Sequence, residues 1–384
     1  METSKGFRDF TGQEALKREK IKSILVGIFK SYGFEPAETP IIESEEFVKG
    51  NNSGDEAISD VFKLQDKGKR NLALRYEFTF QLKRISNNRK LPYKRYQIGE
   101  VFRDEPVSGN RLREFTQCDA DIVGASVKDE AEILAMVGKI LKQFGIRAEI
   151  YINNRKLLNE ILDKQGIKAK AEVIREIDKL DKLPEQQVKE NLKKYGAAKL
   201  LDIFKKPESY FKKYKAYSEI LELKKCCKNY GAEIKFSPSL ARGLSYYNGS
   251  IFEIKTKDIK ETISAGGSYL VNGNQSCGIS FGLERISSLA KIPVKEERIV
   301  IISINEDRQA IKLAENLRKL DKQVIVMYGK PTKALEFANS YGINYVIFLG
   351  QEEVKKKKVK LRDMKTGKEM LISEKELIRK TSGN

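Results

Sequence analysis

The chain has 384 residues, more than one ordinary domain needs, with 40% apolar side chains and 73 basic against 54 acidic groups, a net charge of +19. That excess suits a polyanionic partner, nucleic acid or an anionic membrane surface, and the absence of histidine excludes Ser-His triads, imidazole bases and Cys/His zinc sites. Charged residues from Glu2 onward, no apolar run near ~18 residues and four cysteines without a Cys-x-x-Cys pair predict a reduced, cytoplasmic protein without signal peptide or membrane span.

The spacing of Leu16, Ile21, Ile24, Leu25, Ile28, Phe29 and Tyr32 predicts a helix over 13–32, closed by Gly33. Thr39-Pro40-Ile41-Ile42 reads as an extended segment. Strands are predicted at Asn71–Leu74, Tyr93–Phe102 and Glu114–Val123, the start of an antiparallel sheet with flanking helices. Residues from about 155 to 235 are rich in Lys and Glu with apolar residues at helical spacing, and predict a helical insertion. Strand patterns return at Glu233–Phe236, Ser250–Lys255 and Cys277–Phe281, so the first fold is interrupted by the insertion and completed after it. Near Arg298 a new unit begins with Ile299-Val300-Ile301-Ile302, suited to a buried strand. A helix over 308–320, a strand at Val324–Met327, a further helix and a strand at Tyr345–Leu349 predict a small α/β domain with a mainly parallel core. The expected division is 1–297 and 298–384, the second part carrying +8 from 19 basic and 11 acidic residues. Lys355–Lys358 is the one low-complexity run and reads as a solvated turn, with contact to RNA phosphate as the alternative.

Four segments carry chemistry. Phe102-Arg103-Asp104-Glu105 and Phe115…Gln117 flank a loop holding Arg111 and Arg113, which predicts a hairpin. Guanidinium forks suit phosphates, a carboxylate suits an exocyclic amine, and an aromatic ring suits the face of a base. In Ala241–Gly249, Arg242 followed by Tyr246 and Tyr247 reads either as a strand edge or as a rigid cation beside a polyphosphate. Gly278–Ile286 reads as a strand turning through Gly282 into a helix that carries Arg285. Ala265-Gly266-Gly267-Ser268-Tyr269 reads as a structural turn, with glycines that would also let backbone approach a ligand.

In this order the segments resemble the class II aminoacyl-tRNA synthetases, and among them the histidyl family. Thr39-Pro40 within Glu38–Glu43 resembles motif 1, the dimer-interface segment. Phe102–Gln117 resembles motif 2, and Gly282-Leu283-Glu284-Arg285 resembles motif 3. The histidine-specific marks are Arg242-Gly243-Leu244 with Tyr246-Tyr247, and Ala265–Tyr269. Leu74–Thr79 and Gln117–Gly124 look nearest to the archaeal and eukaryotic branch. The resemblance covers essentially the whole chain and implies an α+β fold. Its parts are a six-stranded antiparallel sheet with flanking helices and a helical insertion, followed by a C-terminal α/β anticodon-binding domain.

The resemblance also implies roles. Glu77 and Thr79, with Phe78 in the same histidine-binding stretch, hold the substrate ammonium. Arg103 grips the reacting carboxylate and the α-phosphate. Glu105 reads the adenine amine and Phe115 stacks on adenine. Arg113 or Arg111 reaches the distal phosphates with Arg285. Gln117 touches the substrate near its carboxylate or its ammonium. Asp121 and Tyr247 line the imidazole pocket with Tyr246 and Tyr269 beside it, and Arg242 is the catalytic arginine. The implied substrates are histidine, ATP with Mg²⁺ on its phosphates, and tRNA, used by a homodimer. Ser245 and Ser268 depart from the family, which has Asp and Arg there, and Ser268 is expected beside the imidazole pocket. The competing readings are a histidine-sensing regulatory subunit of ATP phosphoribosyltransferase on the same fold, and a tRNA-binding protein with a dead synthetase domain. With no imidazole in the protein, a near-neutral limb in the use of histidine is expected to belong to the substrate ring.

Overall fold

Apolar side chains recur every three or four residues from Ile21 to Phe29, and there the backbone is helical: α1 spans Gly12–Ser31, and Gly33, at φ +79°, turns the chain away from it. The computed structural model describes residues 2–49, 60–107, 111–242, 246–294 and 298–381. It divides into two units, Met1–Ile292 and Pro293–Asn384.

In the first unit α1 is followed by β1 (Glu35–Pro36), β2 (Ile42–Ser44), α2 (Glu45–Lys49), β3 (Lys63–Gln65), β4 (Asn71–Leu74) and α3 (Thr79–Ile85). Next come β5 (Tyr93–Phe102), β6 (Glu114–Val123), α4 (Val127–Gln143) and β7 (Glu149–Asn154). The insertion is helical as expected, with α5 (Arg155–Lys164), α6 (Lys170–Asp178), α7 (Glu185–Lys193), α8 (Leu200–Phe204) and α9 (Tyr217–Asn229). The unit closes with β8 (Lys235–Phe236), β9 (Tyr247–Lys255), β10 (Ser264–Val271), β11 (Asn274–Gly282) and α10 (Leu283–Leu289).

Among the described residues the main sheet runs β1-β5-β6-β11-β10-β9-β7-β8. Its six central strands pair antiparallel, and the two-residue edge strands β1 and β8 add in parallel. A separate sheet pairs β2, β4 and β3. Alternation along β6 sorts its side chains. Cys118, Ala120 and Ile122 join the core with Ile133, Met136, Val137 and Ile140 of α4 and Ile21, Leu25 and Phe29 of α1. Gln117, Asp119 and Asp121 therefore take the opposite face. Ala265–Tyr269 is not a turn but the middle of β10, flanked by β9 and β11. A Cβ on Gly266 would lie 2.0 Å from the Gly278 carbonyl oxygen, so this glycine serves the approach of strands rather than a reversal.

The second unit contains β12 (Arg298–Ser303), α11 (Asp307–Arg318), β13 (Gln323–Tyr328), α12 (Pro331–Ser340) and β14 (Tyr345–Leu349). It ends with α13 (Gln351–Lys355), β15 (Val359–Asp363), β16 (Glu369–Ile372) and α14 (Glu374–Thr381). Its sheet order is β13-β12-β14-β15-β16, parallel across the first three strands and antiparallel for the last two. Ile299 and Ile301 pack with Leu313 and Leu317 of α11, whereas Val300 and Ile302 pack with Ala334 and Ala338 of α12, so helices cover both faces. Lys355–Lys358 forms the exposed end of α13 and the turn after it. Among the described residues no helix is long and apolar enough to cross a membrane.

Candidate active site

The site lies on the face of the main sheet opposite α1 and α4. Asp121 on β6 stands across from Gly278 on β11 and Arg95 on β5. A Cβ on Gly278 would fall 1.9 Å from Asp121 Oδ1, so only glycine leaves room for the carboxylate. Arg95, fully buried, sits 3.0 Å from Asp121 Oδ2 and donates to the Phe78 carbonyl at 3.1 Å. The Tyr269 hydroxyl donates to Asp121 Oδ1. Burial pushes the Asp121 pKa up, and Arg95 opposes it. Two residues earlier, Asp119 accepts a hydrogen bond from Gln117 Nε2 at 2.8 Å. Burial and the charge of Asp121 raise the Asp119 pKa as well.

Tyrosines wall the space above. The ring of Tyr246 lies 4.9 Å from that of Tyr247 and 5.5 Å from that of Tyr269, both centroid to centroid. Gly267 admits Tyr247, whose ring a Cβ would approach to 2.9 Å. Glu77 lies just before α3, and the Tyr246 hydroxyl donates to its Oε2 at 3.4 Å, while Oε1 is buried without a partner. Burial lifts the Glu77 pKa to about 7, with Arg103 and Thr79 opposing and Asp121 adding to the rise. Thr79 opens α3. The Phe78 ring is packed inside, with the Arg75 guanidinium 4.9 Å from its centroid.

Arginines line the neighbouring space. The Arg103 guanidinium lies 4.3 Å from the Tyr76 ring centroid and 5.0 Å from that of Phe115. The Arg103 amide donates to the Arg113 carbonyl at 2.8 Å, tying the two ends of the β5–β6 loop together. Arg111 pairs with the Glu105 carboxylate, and Arg113 lies 3.1 Å from Asp104. Arg242 Nη1 is 3.1 Å from Glu253 Oε1, which also accepts from the Thr262 hydroxyl. Arg285 donates to the Thr262 carbonyl at 2.7 Å. Its neighbour Glu284 accepts from Arg18 at 2.9 Å and from the Thr116 amide at 3.1 Å, which anchors α10 to α1 and β6. Burial lowers the Arg285 pKa, Glu261 opposes, and Arg111, Arg103 and Arg242 lower it further. Arg285 thus feels the charge of three other guanidinium groups, brought from two other chain segments. An anion with several negative oxygens relieves that repulsion.

The expected site residues fall into these two adjoining groups, with Phe78 packed beneath. Ser268 does not point into the pocket. It faces α4, where its hydroxyl donates to the buried Glu130 carboxylate, because alternation along β10 turns it away from Tyr269. Ser245 lies outside the described residues. Sequence reasoning missed Arg95, Asp119, Glu253 and Gly278. Among 73 basic and 54 acidic residues nothing marks Arg95 or Glu253. A charged residue inside an apolar strand was the available signal for Asp119.

Residues 6–286 match the family model described as histidyl-tRNA synthetase, and residues 298–383 match that of an anticodon binding domain. The chain is 34% identical to "Histidine--tRNA ligase 1" of Bacillus cereus, over 97% of this chain and 95% of that protein. It is also 34% identical to "Histidine--tRNA ligase" of Wolinella succinogenes, over 95% and 94%. The crystal structure of histidyl-tRNA synthetase from Nostoc sp. PCC 7120 superposes with a TM-score of 0.85 at 25% identity, covering 99% of both chains. A Bacillus halodurans protein described as an ATP phosphoribosyltransferase regulatory subunit/histidyl-tRNA synthetase shares the fold, with a TM-score of 0.76 at 20% identity over 91% and 98%. These relatives are bacterial, and the expected leaning toward the archaeal and eukaryotic branch is not supported. The chain belongs to the histidyl-tRNA synthetase family.

Proposed function

We propose that the tyrosine-walled pocket and the arginine cluster beside it are the histidine and ATP sites of one activation centre. The enzyme is a histidine–tRNA ligase: it joins histidine to ATP as the adenylate, releases pyrophosphate, and passes histidine to the 3′ end of its tRNA. The observation that carries the site assignment is the convergence of Arg103, Arg111, Arg242 and Arg285 next to two buried carboxyls, Glu77 and Asp121.

In this reading Asp121, Tyr247 and Tyr269 hold the imidazole, while Glu77 and Thr79 take the ammonium. Arg103 aligns the substrate carboxylate against the α-phosphorus, and Phe115 stacks on adenine. Glu105 takes the adenine amine once ATP phosphates draw Arg111 from it, and Arg113 and Arg285 hold the distal phosphates. A carboxylate attacks without a general base, so a chain lacking histidine loses nothing in this step. Catalysis consists of alignment and of neutralising charge as it builds on the α-phosphate, the part given to Arg103 and Arg242. Mg²⁺ enters with ATP on its phosphates, as part of the substrate.

The same reading makes 1–297 the catalytic domain and 298–384 the anticodon-binding domain of a cytoplasmic homodimer. The half-exposed Ile41 and Ile42, in the segment resembling motif 1, contribute to the dimer contact. ATP–pyrophosphate exchange by the full chain, with each amino acid supplied separately, tests the reading. Exchange with histidine alone supports it. Histidine binding without exchange favours a regulatory sensor instead.

A further inference from the structure

The hydrogen bond between Gln117 and Asp119 bears on which end of the substrate Gln117 serves. Both side chains project from the same face of β6, two residues apart, beside Asp121. Gln117 Nε2 donates to Asp119 Oδ2 at 2.8 Å. Burial and the Asp121 charge raise the Asp119 pKa to about 7; above that pH its carboxylate accepts hydrogen bonds and donates none, so it meets only the NH₂ end of the amide, as the geometry has it. The Gln117 carbonyl oxygen is then the end left for a ligand, and it can accept from an ammonium but cannot donate to a carboxylate. Asp119 is 3% exposed, and burial makes its charge costly to hold in place, with Arg95, Ser280 and the Gln117 amide opposing that cost. Asp121 beside it is already engaged by Arg95 and Tyr269.

We propose that Asp119 is a positioning residue that fixes the Gln117 amide with its oxygen toward the pocket, committing Gln117 to the ammonium of the bound amino acid. The inference rests on the histidine-binding reading of this pocket and goes beyond it by assigning a role to a residue that does not itself meet the substrate. It also settles the choice between carboxylate and ammonium for Gln117. Asp119 acts only through the amide, so its loss should be felt by ligands that carry an ammonium and not by those that lack one.

Two probes separate the possibilities. Histidinol keeps the imidazole and ammonium but has no carboxylate, and imidazolepropionate keeps the imidazole and carboxylate but has no ammonium. Their inhibition constants are measured against histidine in pyrophosphate exchange by the full chain. Asp119→Ala is expected to weaken histidinol tenfold or more and to change imidazolepropionate less than twofold. KM for histidine rises with the histidinol constant, while KM for ATP stays within twofold. Asp119→Asn, whose carbonyl still accepts from Gln117 in one of its two orientations, falls between Asp119→Ala and the parent. In a Gln117→Ala chain, Asp119→Ala adds no further loss. Equal weakening of both probes, unchanged histidinol inhibition, or full additivity with Gln117→Ala overturns the proposal. If Asp119→Ala fails to fold, Gln117→Ala alone decides: loss of imidazolepropionate rather than histidinol overturns it. A parent chain without histidine-dependent exchange sinks the histidine reading, whereas an active parent whose probes ignore Asp119 sinks this inference alone.

Discussion

Glu77→Gln should stabilise the ligand-free protein while disabling it, because one buried carboxyl serves both folding and binding. In the fold its pKa is raised to about 7 from an ordinary 4.5, chiefly by burial. A carboxyl whose folded pKa is raised favours folding fully only below its unfolded pKa, and that contribution is lost as pH rises toward 7. Above pH 7 the ionised group destabilises the native state by about 3 kcal/mol, the free-energy equivalent of the shift. Glutamine keeps the shape without the charge. Scanning calorimetry of the ligand-free chain should therefore show the variant melting about 6 °C higher at pH 8, with the gap narrowing toward pH 5. In pyrophosphate exchange, losing a charged partner of the substrate ammonium should cost about 2–3 kcal/mol, or ~30- to 150-fold in kcat/KM for histidine. In the parent, kcat/KM for histidine should fall as pH drops below about 7, where Glu77 takes up its proton. That limb should remain when a histidine analogue of lower ring pKa is used, and weaken in the variant to the part contributed by Asp119, whose pKa burial and Asp121 also raise to about 7. This revises the expectation that only the substrate ring titrates in that range. A variant that is less stable than the parent at pH 8, or that keeps parental kcat/KM for histidine, would refute the reasoning.

Arg242→Ala should reduce exchange by about 100- to 1,000-fold, the scale of one preorganised donor at a developing charge. Its melting temperature should fall only slightly, since Lys255 remains 3.0 Å from Glu253; exchange within tenfold of the parent removes the catalytic role. A chain ending at Ile292 should retain histidine-dependent exchange but lose most tRNA charging, and unchanged charging would deny the second unit its anticodon role. Ser268→Val, which deprives the buried Glu130 of a hydroxyl donor, should lower stability by about 1–3 kcal/mol by calorimetry while KM for histidine stays within twofold; a shift in KM without loss of stability would return Ser268 to the pocket.

Much of the architecture was legible because alternation and helical spacing are local. The predicted limits of β4, β5 and β6 coincide with the observed ones, and the insertion reads as helices from its apolar spacing alone. Ala265–Tyr269 misled because glycine pairs usually mark turns, whereas Gly266 and Gly267 make space for the Gly278 carbonyl and the Tyr247 ring. The motif arginines could be named in advance, but their common neighbourhood depends on pairing between β5, β6, β9 and β11. Arg95 was invisible for the same reason: its importance arises only from burial opposite Asp121. The absence of histidine suggested that a near-neutral limb would belong to the substrate ring, unless a cysteine or the N-terminal amine intervened. Desolvation of Glu77 defeats that inference, since it moves a carboxyl into the range normally held by imidazole.

The most direct test of the whole account is charging of tRNA by the purified full chain with each amino acid in turn, following both adenylate formation and transfer to the RNA 3′ end. The account predicts adenylate and aminoacyl-tRNA with histidine alone, on histidine tRNA alone. Adenylate formed from another amino acid, or histidine bound with neither adenylate nor charged tRNA produced, would contradict it.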